Sequence, residues 1–170
     1  MNTNALSWVF IILTFFFSAC NSGKQNETSA EVEEPVEEIT VQPTGETVEI
    51  LLLATDQMQF DQKMIKVKEG QMVRLTLQHS GRMPKAAMGH NFVLLKKGVS
   101  LSEFGDKAAG AAGNDYIPHS EKRNIIAHTK MIGGGESDTI EFLTPPRGEY
   151  EFLCSFPGHY AIMKGIFVVE

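Results

Sequence analysis

Short strand-like segments separated by turn residues occupy this 170-residue chain from position 47 to its end. Within the segments, apolar and polar residues alternate or β-branched and aromatic residues cluster, which is typical of β-strands. Gly, Pro, Asp and Ser separate the segments. The predicted strands cover residues 47–53, 65–68, 72–77, 90–95, 123–128, 139–143, 150–154 and 165–169. About eight short strands at this spacing predict an all-β fold, a Greek-key β-sandwich or barrel.

One segment departs from the strand pattern. Residues 100–113, with the sequence SLSEFGDKAAGAAG, contain Ser102 followed by Glu103 and then an alanine-rich run. A hydroxyl residue and an early glutamate ahead of good helix formers are typical of a helix start. The sequence therefore predicts a short helix inserted between strands.

The first twenty residues have the features of an export signal. The run from Ala5 to Cys20 carries no charge. As a helix it would be about 24 Å long, shorter than the ~30 Å hydrocarbon core of a bilayer. Its end, Ser18-Ala19-Cys20, resembles the lipobox of bacterial lipoproteins. By that resemblance, residues 1–20 are a lipoprotein-type signal segment and Cys20 carries the lipid. An uncleaved anchor, or an ordinary signal that happens to end in Cys, is the alternative.

Residues 21–46 are acidic and lack aromatic side chains. They contain seven Glu and one Lys, which accounts for the whole net charge of −6. Such a segment cannot bury enough apolar surface to offset its ordering entropy, so we predict a disordered tether with an rms reach of about 28 Å. Residues 47–170 then form one neutral domain. A neutral domain lacks the basic stripe that nucleic-acid binding requires, and it does not rely on long-range charge steering.

Residues 154–165, CSFPGHYAIMKG, place a thiol, an imidazole and a thioether in one loop. Cys154 ends one predicted strand, Met163 precedes the last one, and Pro157-Gly158 supplies the turn between them. A second imidazole is available from His90, at the start of another strand. Two imidazoles, one thiolate and a weak thioether are the donor set of a blue-copper electron-transfer site.

Other roles are open to these residues. Cys154 and His159 could be a thiol nucleophile and its base, but this reading gives Met163 no role. Zinc could occupy the thiolate and the imidazoles, yet zinc prefers four strong ligands and has no use for a thioether. Met163 could also be core filler, a frequent role of methionine. Its place in the loop favours a ligand instead.

The loop at residues 154–165 closely resembles the ligand loop of azurins, with four residues between Cys and His and three between His and Met. The resemblance continues in DQMQF (residues 56–60), MPKAAMGHNF (83–92) and IAHTKMIGGGE (126–136), in the azurin order. It extends over essentially all of residues 47–170. It implies a cupredoxin fold and one bound copper ion that alternates between Cu(I) and Cu(II).

The resemblance also implies how the copper is held. A trigonal arrangement is expected, with His90, Cys154 and His159 as the three ligands. Two axial contacts complete the expected site, the Met163 thioether and the carbonyl oxygen of Gly89.

Further residues match azurin positions around the ligands. Asn91 and Phe156 match residues that fasten the ligand loop and bond the cysteine sulfur, and such bonds tune the potential by stabilising the thiolate. Met88, Pro157 and Ala161 match, together with Phe156, an apolar patch around the surface edge of the second ligand histidine. This patch is the expected port for electrons.

Some features stand outside the ligand set. The azurin disulfide has no counterpart, because Lys68-Glu69-Gly70 occupies the relevant turn. Its absence is expected to lower stability by on the order of a few kcal/mol. His79 is expected to lie partly buried near the site and His128 to be exposed, and for both a structural role is the alternative to a functional one. His119 is expected to be a solvated loop residue.

Together these features predict an azurin-like, membrane-tethered carrier of single electrons in the periplasm of a Gram-negative bacterium, and not an enzyme. The expected partners are other redox proteins, such as cytochrome c-type proteins or respiratory complexes, which would dock at the apolar patch. The membrane is reached through the lipid on Cys20, and nucleic acid is excluded.

Three other classes of copper protein have different requirements. A copper chaperone or store is the alternative, disfavoured because an enclosed four-ligand site does not exchange its ion readily. A copper nitrite reductase would need a further copper with an open position and more histidines. A binuclear copper centre would need a second cysteine in the loop.

Overall fold

The computed structural model describes residues 43–170. The predicted signal segment (1–20) and all but the end of the predicted tether (21–46) lie outside the described residues. In the part of the chain that is described, no helix has both the length and the apolar character needed to cross a membrane.

Nine strands and two short helices form the regular structure of residues 43–170. The strands are β1 (Thr47–Thr55), β2 (Gln59–Phe60), β3 (Met64–Val67), β4 (Met72–His79), β5 (Val93–Leu95), β6 (Ile125–His128), β7 (Ser137–Leu143), β8 (Gly148–Leu153) and β9 (Lys164–Val169). The helices are α1 (Lys85–Met88) and α2 (Leu101–Ala108). Short 3-10 helices lie at Ala112–Asn114, His119–Asn124 and His159–Ala161.

The strands form two sheets, in the orders β2-β1-β4-β7 and β3-β9-β8-β5-β6. The β1–β4 and β3–β9 pairs are parallel, and the other pairs are antiparallel. Parallel neighbours cannot be joined by a tight hairpin, and in both pairs the intervening chain contains at least one strand of the other sheet. The all-β sandwich predicted from the sequence is therefore confirmed.

The two sheets enclose one apolar core. On β4, Val73, Leu75 and Leu77 are fully buried, whereas Arg74 between them is exposed. This period of two is the alternation seen in the sequence, because successive side chains of a strand point to opposite faces. The inward face of β4 ends at His79, which is also fully buried. The strand thus delivers an imidazole to the end of the core.

The predicted strands are all present, with shifted ends. β5 begins at Val93 and not at residue 90, because His90 and Asn91 belong to a loop that side-chain hydrogen bonds hold. β8 ends at Leu153, so Cys154 is the first residue of the following loop. The ninth strand, β2, has two residues and is too short for hydrophobic periodicity to reveal.

The predicted inserted helix is confirmed as α2, over a shorter stretch than residues 100–113. The Ser100 hydroxyl accepts a hydrogen bond from the Glu103 backbone N–H at 3.4 Å, so Ser100 and not Ser102 is the N-cap. Leu101, Phe104 and Ala108 are buried in a second apolar cluster, which also contains Val93, Leu95, Ile117 and Leu153. The helix therefore packs directly on β5 and β8.

Candidate metal centre

The loop between β8 and β9 is a compact turn held by its own backbone. The Cys154 N–H donates to the Met163 carbonyl at 3.0 Å, and the Met163 N–H donates to the His159 carbonyl at 2.8 Å. The His159 N–H donates in turn to the Phe156 carbonyl at 3.0 Å. Gly158 has φ 80°, a left-handed conformation that glycine adopts without strain. These bonds fold the loop so that His159 and Met163 return toward Cys154.

The second histidine comes from the segment between α1 and β5. His90 exchanges two backbone hydrogen bonds with Ile132, at 3.0 and 2.8 Å, in an isolated β-bridge. The preceding residue, Gly89, has no room for a side chain, because a Cβ there would lie 2.7 Å from the Lys85 carbonyl oxygen and 2.9 Å from the Met131 sulfur. The glycine thus allows the backbone to pass close to α1 and to bring His90 to the end of β8.

One thiol and two imidazoles meet in the resulting space. The Cys154 Sγ lies 3.6 Å from His159 Nδ1 and 3.8 Å from His90 Nδ1. The three donor atoms all lie within 4.8 Å of one another, and all three residues are buried. Among residues 43–170, this is the only such group of three or more His, Cys, Asp or Glu side chains. The structure therefore brings together the three strong ligands predicted from the sequence.

Hydrogen bonding fixes the tautomer of His90. Its Nε2 lies 2.9 Å from the Thr55 carbonyl oxygen, a group that can only accept. Nε2 therefore carries the proton, and the Nδ1 lone pair faces the thiol. An imidazole held in this way is ready to bind a cation without first losing a proton.

Burial sets the protonation of all three groups. Burial raises the pKa of the Cys154 thiol to about 12. The backbone N–H groups of Asn91 and Phe156 oppose this shift, because they favour the thiolate. Burial lowers the pKa of both His90 and His159 to about 4, and the positive charge that His79 can carry adds to the effect. Without a cation the site therefore holds a neutral thiol and two neutral imidazoles.

These residues fit a soft or borderline metal ion. An ion about 2.0–2.3 Å from each of three donors in a trigonal plane would separate the donors by about 3.5–4.0 Å, which matches the observed Sγ–Nδ1 distances. A bound cation would also convert the thiol to the thiolate that metals prefer. Thiolate and imidazole donors together suit copper.

The two residues expected as axial ligands, Gly89 and Met163, adjoin this cluster. The Gly89 carbonyl oxygen is 3.8 Å from Cys154 Sγ. Met163 is fully buried and belongs to the same core cluster as Cys154. Its backbone is bonded to both Cys154 and His159, as described above.

A buried hydrogen-bond network joins the two segments that carry His90 and Cys154. The Asn91 Oδ1 accepts from the Ser155 N–H at 2.8 Å and lies 3.2 Å from the Ser155 hydroxyl. The Asn91 Nδ2 donates to Ser155 Oγ at 2.8 Å and to the Asp115 carbonyl at 3.2 Å. Asn91 and Ser155 directly follow the two ligand positions. The network therefore fixes the spacing of the imidazole and the thiol.

His79 is more deeply placed than the sequence indicated, since it is fully buried and not partly buried. Its ring meets the His90 ring edge-on, with centroids 4.4 Å apart, and its Nε2 lies 3.0 Å from Asp56 Oδ1. The sequence does not predict the contact with Asp56, although Asp56 lies in the motif DQMQF (residues 56–60). His119 and His128 are exposed, as expected.

The residues expected to form the apolar patch are accessible around the loop. Met88, Phe156 and Pro157 are half-buried, and Ala161 is exposed. Only 3% of the His159 surface is exposed. The Phe156 ring packs on the His159 ring, with centroids 4.6 Å apart.

A two-sheet sandwich with a buried thiol and two imidazoles at the end of its strands defines a cupredoxin. The family model for copper binding proteins of the plastocyanin/azurin family matches residues 28–170. The chain therefore belongs to the plastocyanin/azurin family, whose cofactor is copper.

Individual relatives agree with this assignment. An azurin from Bordetella pertussis is 42% identical over 118 residues, which cover 67% of this chain and 78% of that protein. Outer membrane protein H.8 from Neisseria meningitidis is 44% identical over 116 residues, which cover 66% of this chain and 62% of that protein. The crystal structure of dithionite-reduced auracyanin from Roseiflexus castenholzii superposes with a TM-score of 0.65 at 34% identity, covering 74% of this chain and 99% of that one.

The depressed histidine pKa values predict how the metal-free protein responds to acid. Unfolded histidines take up protons at a pKa of about 6.5, whereas His90 and His159 do so at about 4 when folded. The unfolded state therefore binds more protons between these values, so this stability is present above about pH 6.5 and is lost as the pH falls toward 4. Thermal unfolding of the metal-free chain should show a falling midpoint over this range, and a shallower fall in His90→Gln. Equal slopes in the two proteins would contradict the prediction.

Proposed function

We propose that this protein is a single-electron carrier of the azurin type, held at a membrane by its N-terminal segment. The observation that carries the proposal is the buried cluster of one thiol and two imidazoles, whose Sγ–Nδ1 distances of 3.6 and 3.8 Å fit one copper ion. His90, Cys154 and His159 would be the strong ligands. Met163 and the Gly89 carbonyl would be the weak axial ones.

A copper ion in such a site supplies a one-electron change between Cu(I) and Cu(II). The protein contributes a ligand set that both oxidation states accept. The thiolate and thioether favour Cu(I), and the imidazoles suit both states. The Asn91–Ser155 network, the His90–Ile132 bridge and the Thr55 carbonyl hold the donors in place. Little therefore has to rearrange when an electron moves.

Two features of the site favour a carrier over a copper chaperone or store. All three donors are buried, and His90 and Cys154 are held by the sheets, whereas a protein that hands over its ion needs exposed, exchangeable ligands. The second feature is the accessible apolar surface beside His159, formed by Met88, Phe156, Pro157 and Ala161. A role as carrier also accords with the family. Reduction of nitrite or oxygen would require a further copper centre, and residues 43–170 offer one cluster of metal-binding side chains.

We propose that the apolar patch around His159 is where redox partners dock. We define this patch as Met88, Phe156, Pro157 and Ala161. Residues 47–170 carry equal numbers of acidic and basic side chains, so docking would depend on apolar contact more than on charge steering. Cytochrome c-type proteins or respiratory complexes are the proposed partner classes.

The proposed location rests on the N-terminal segment and on one relative. The lipobox-like Ser18-Ala19-Cys20 would give a lipid-anchored protein in the periplasm of a Gram-negative bacterium, with the acidic segment 21–46 as a tether. The similarity to outer membrane protein H.8 supports a membrane location.

The copper site predicts colour. The protein loaded with Cu(II) should absorb red light intensely, through charge transfer from the Cys154 thiolate, and should be deep blue. Cys154→Ser should lose this absorption, because a hydroxyl is a poor donor to copper. Optical spectroscopy of the two proteins is the test of the proposed function. A colourless wild-type complex, or a blue Cys154→Ser variant, would refute the proposed function.

The axial role of Met163 predicts a change in potential without a loss of colour. Met163→Leu should remain blue and should have a higher reduction potential, because removal of a weak donor destabilises Cu(II) more than Cu(I). Protein-film voltammetry measures the potential directly. An unchanged potential would reduce Met163 to a packing residue of the core.

The docking patch predicts a specific loss of electron exchange. Met88→Lys places a cation in the patch, which must be desolvated when two proteins meet. Electron exchange with a partner and between copies of the protein should slow at least about tenfold, as judged from a desolvation cost of a few kcal/mol. Spectrum and potential should change little.

Leu51→Lys is the matched control for this experiment. Leu51 is 52% exposed on β1, which belongs to the sheet that does not carry the ligand loop. This variant should exchange electrons at the wild-type rate, measured by stopped-flow mixing or by NMR line broadening. Equal rates for Met88→Lys and wild type would remove the patch as the electron port.

The lipid anchor predicts a change of fraction without a change of site. Cys20→Ala should move the protein from the membrane fraction to the soluble periplasm, and its copper spectrum should be unaltered. Cell fractionation and mass spectrometry of the wild-type N-terminus provide the measurement. A wild-type protein that is soluble and carries no lipid would refute the anchor.

A further inference from the structure

Tyr160, which directly follows His159 in the ligand loop, is bonded to the inserted helix. Its hydroxyl donates to Asp106 Oδ1 at 2.5 Å, and Asp106 lies on α2, 54 residues earlier in the chain. The ring lies against Gly105, the residue before Asp106. Neighbouring residues of one helix therefore hold both the ring and the hydroxyl of the same tyrosine.

Gly105 shows that the contact is built into the helix. Glycine weakens a helix interior relative to alanine, and Gly105 lies in the middle of α2. A Cβ at this position would fall within 2.8 Å of three ring atoms of Tyr160. The tyrosine ring thus occupies the space that a side chain at position 105 would fill.

The helix itself is fixed to the strands that lead to the other two ligands. Phe104 and Ala108 of α2 belong to the apolar cluster that contains Leu153 and Val93. Leu153 immediately precedes Cys154, and Val93 follows His90 by three residues. A side chain attached to α2 is therefore held at a fixed position relative to the Cys154 thiol and the His90 imidazole.

The ligand turn has few other supports. Ala161 and Ile162, which follow Tyr160, are exposed, and the side chain of Ile162 is 53% accessible. The other bonds of the turn are backbone bonds within the loop: Ile162 and Met163 donate to the His159 carbonyl, His159 donates to the Phe156 carbonyl, and Cys154 donates to the Met163 carbonyl. Those bonds shape the turn but do not attach it to α2.

We propose that Tyr160 is a positioning residue that fastens the His159 turn to α2 and so holds His159 opposite Cys154. This inference rests on the proposed function in one respect, since it takes His159 to be a metal ligand. The attachment itself is a property of the protein without metal. Tyr160 acts through His159 and does not touch the metal donors of the site.

Hydrogen exchange in the full-length, metal-free chain tests the attachment. The amides of Ile162 and Met163 report on opening of the turn, because both donate to the His159 carbonyl. In Tyr160→Phe, exchange in the segment 158–163 should be about fivefold to tenfold faster, the effect expected when one exposed hydrogen bond to a carboxylate is lost. Gly105→Ala should increase exchange in the same segment, because the ring is displaced.

Tyr150→Phe is the matched control. The Tyr150 hydroxyl donates to the Pro146 carbonyl at 2.6 Å, beside the loop between β7 and β8 and away from the ligand loop. This variant also loses one tyrosine hydrogen bond, and it should leave exchange in 158–163 unchanged. An increase of less than twofold in Tyr160→Phe, or an equal increase in Tyr150→Phe, would overturn the proposal.

A second readout links the attachment to the metal. Release of copper to a chelator in excess should be about fivefold to tenfold faster from Tyr160→Phe than from wild type or Tyr150→Phe. Equal release rates, with the turn opened in hydrogen exchange, would overturn the claim that Tyr160 positions a ligand. If the wild-type copper complex is colourless, the proposed function fails, and hydrogen exchange alone then decides whether Tyr160 fastens the turn.

Discussion

The hydrogen bonds between Asn91 and Ser155 are the interaction on which the site depends. They join two segments that are 64 residues apart in sequence and that carry, one position earlier, His90 and Cys154. Both side chains are fully buried, so water cannot replace a lost partner, and an unpaired amide there would be costly. The spacing between thiol and imidazole is thus enforced by the requirement to satisfy buried polar groups. A metal ion would enter a site that is already formed.

The sheets make this arrangement possible by ending at the same place. β8 stops at Leu153, and β9 begins at Lys164, so the ligand loop joins neighbouring antiparallel strands. β5 pairs with β8 on its other side and starts two residues after Asn91. The opposite sheet contributes the Thr55 carbonyl at the end of β1 and His79 at the end of β4. Both sheets therefore supply groups to one end of the sandwich, where the apolar core excludes water from them.

The sequence predicted the strands and the meeting of His90, Cys154 and His159 far better than it predicted the contacts that support them. Alternation along β4 and the spacing within residues 154–163 are local properties of the chain, so they could be recognised directly. The Thr55 carbonyl, the contact between His79 and Asp56, and the bond between Tyr160 and Asp106 link residues 23 to 54 positions apart. Such contacts depend on the register between strands and on the path of loops, which no local pattern specifies. Ser155 carried a weak local signal, since it follows the cysteine directly.

The three strong donors differ in how firmly the protein holds them. Cys154 follows a central strand, and His90 is fixed by the bridge to Ile132 and by the Thr55 carbonyl. His159 lies on a turn at the surface, whose neighbours Ala161 and Ile162 are exposed. An electron carrier needs one ligand near the surface, because electron transfer weakens with distance, yet a loosely held ligand would move when the metal changes charge. On the proposals made above, the inserted helix would resolve this conflict, because it would support the turn from the side through Tyr160 and leave the apolar patch free for a partner.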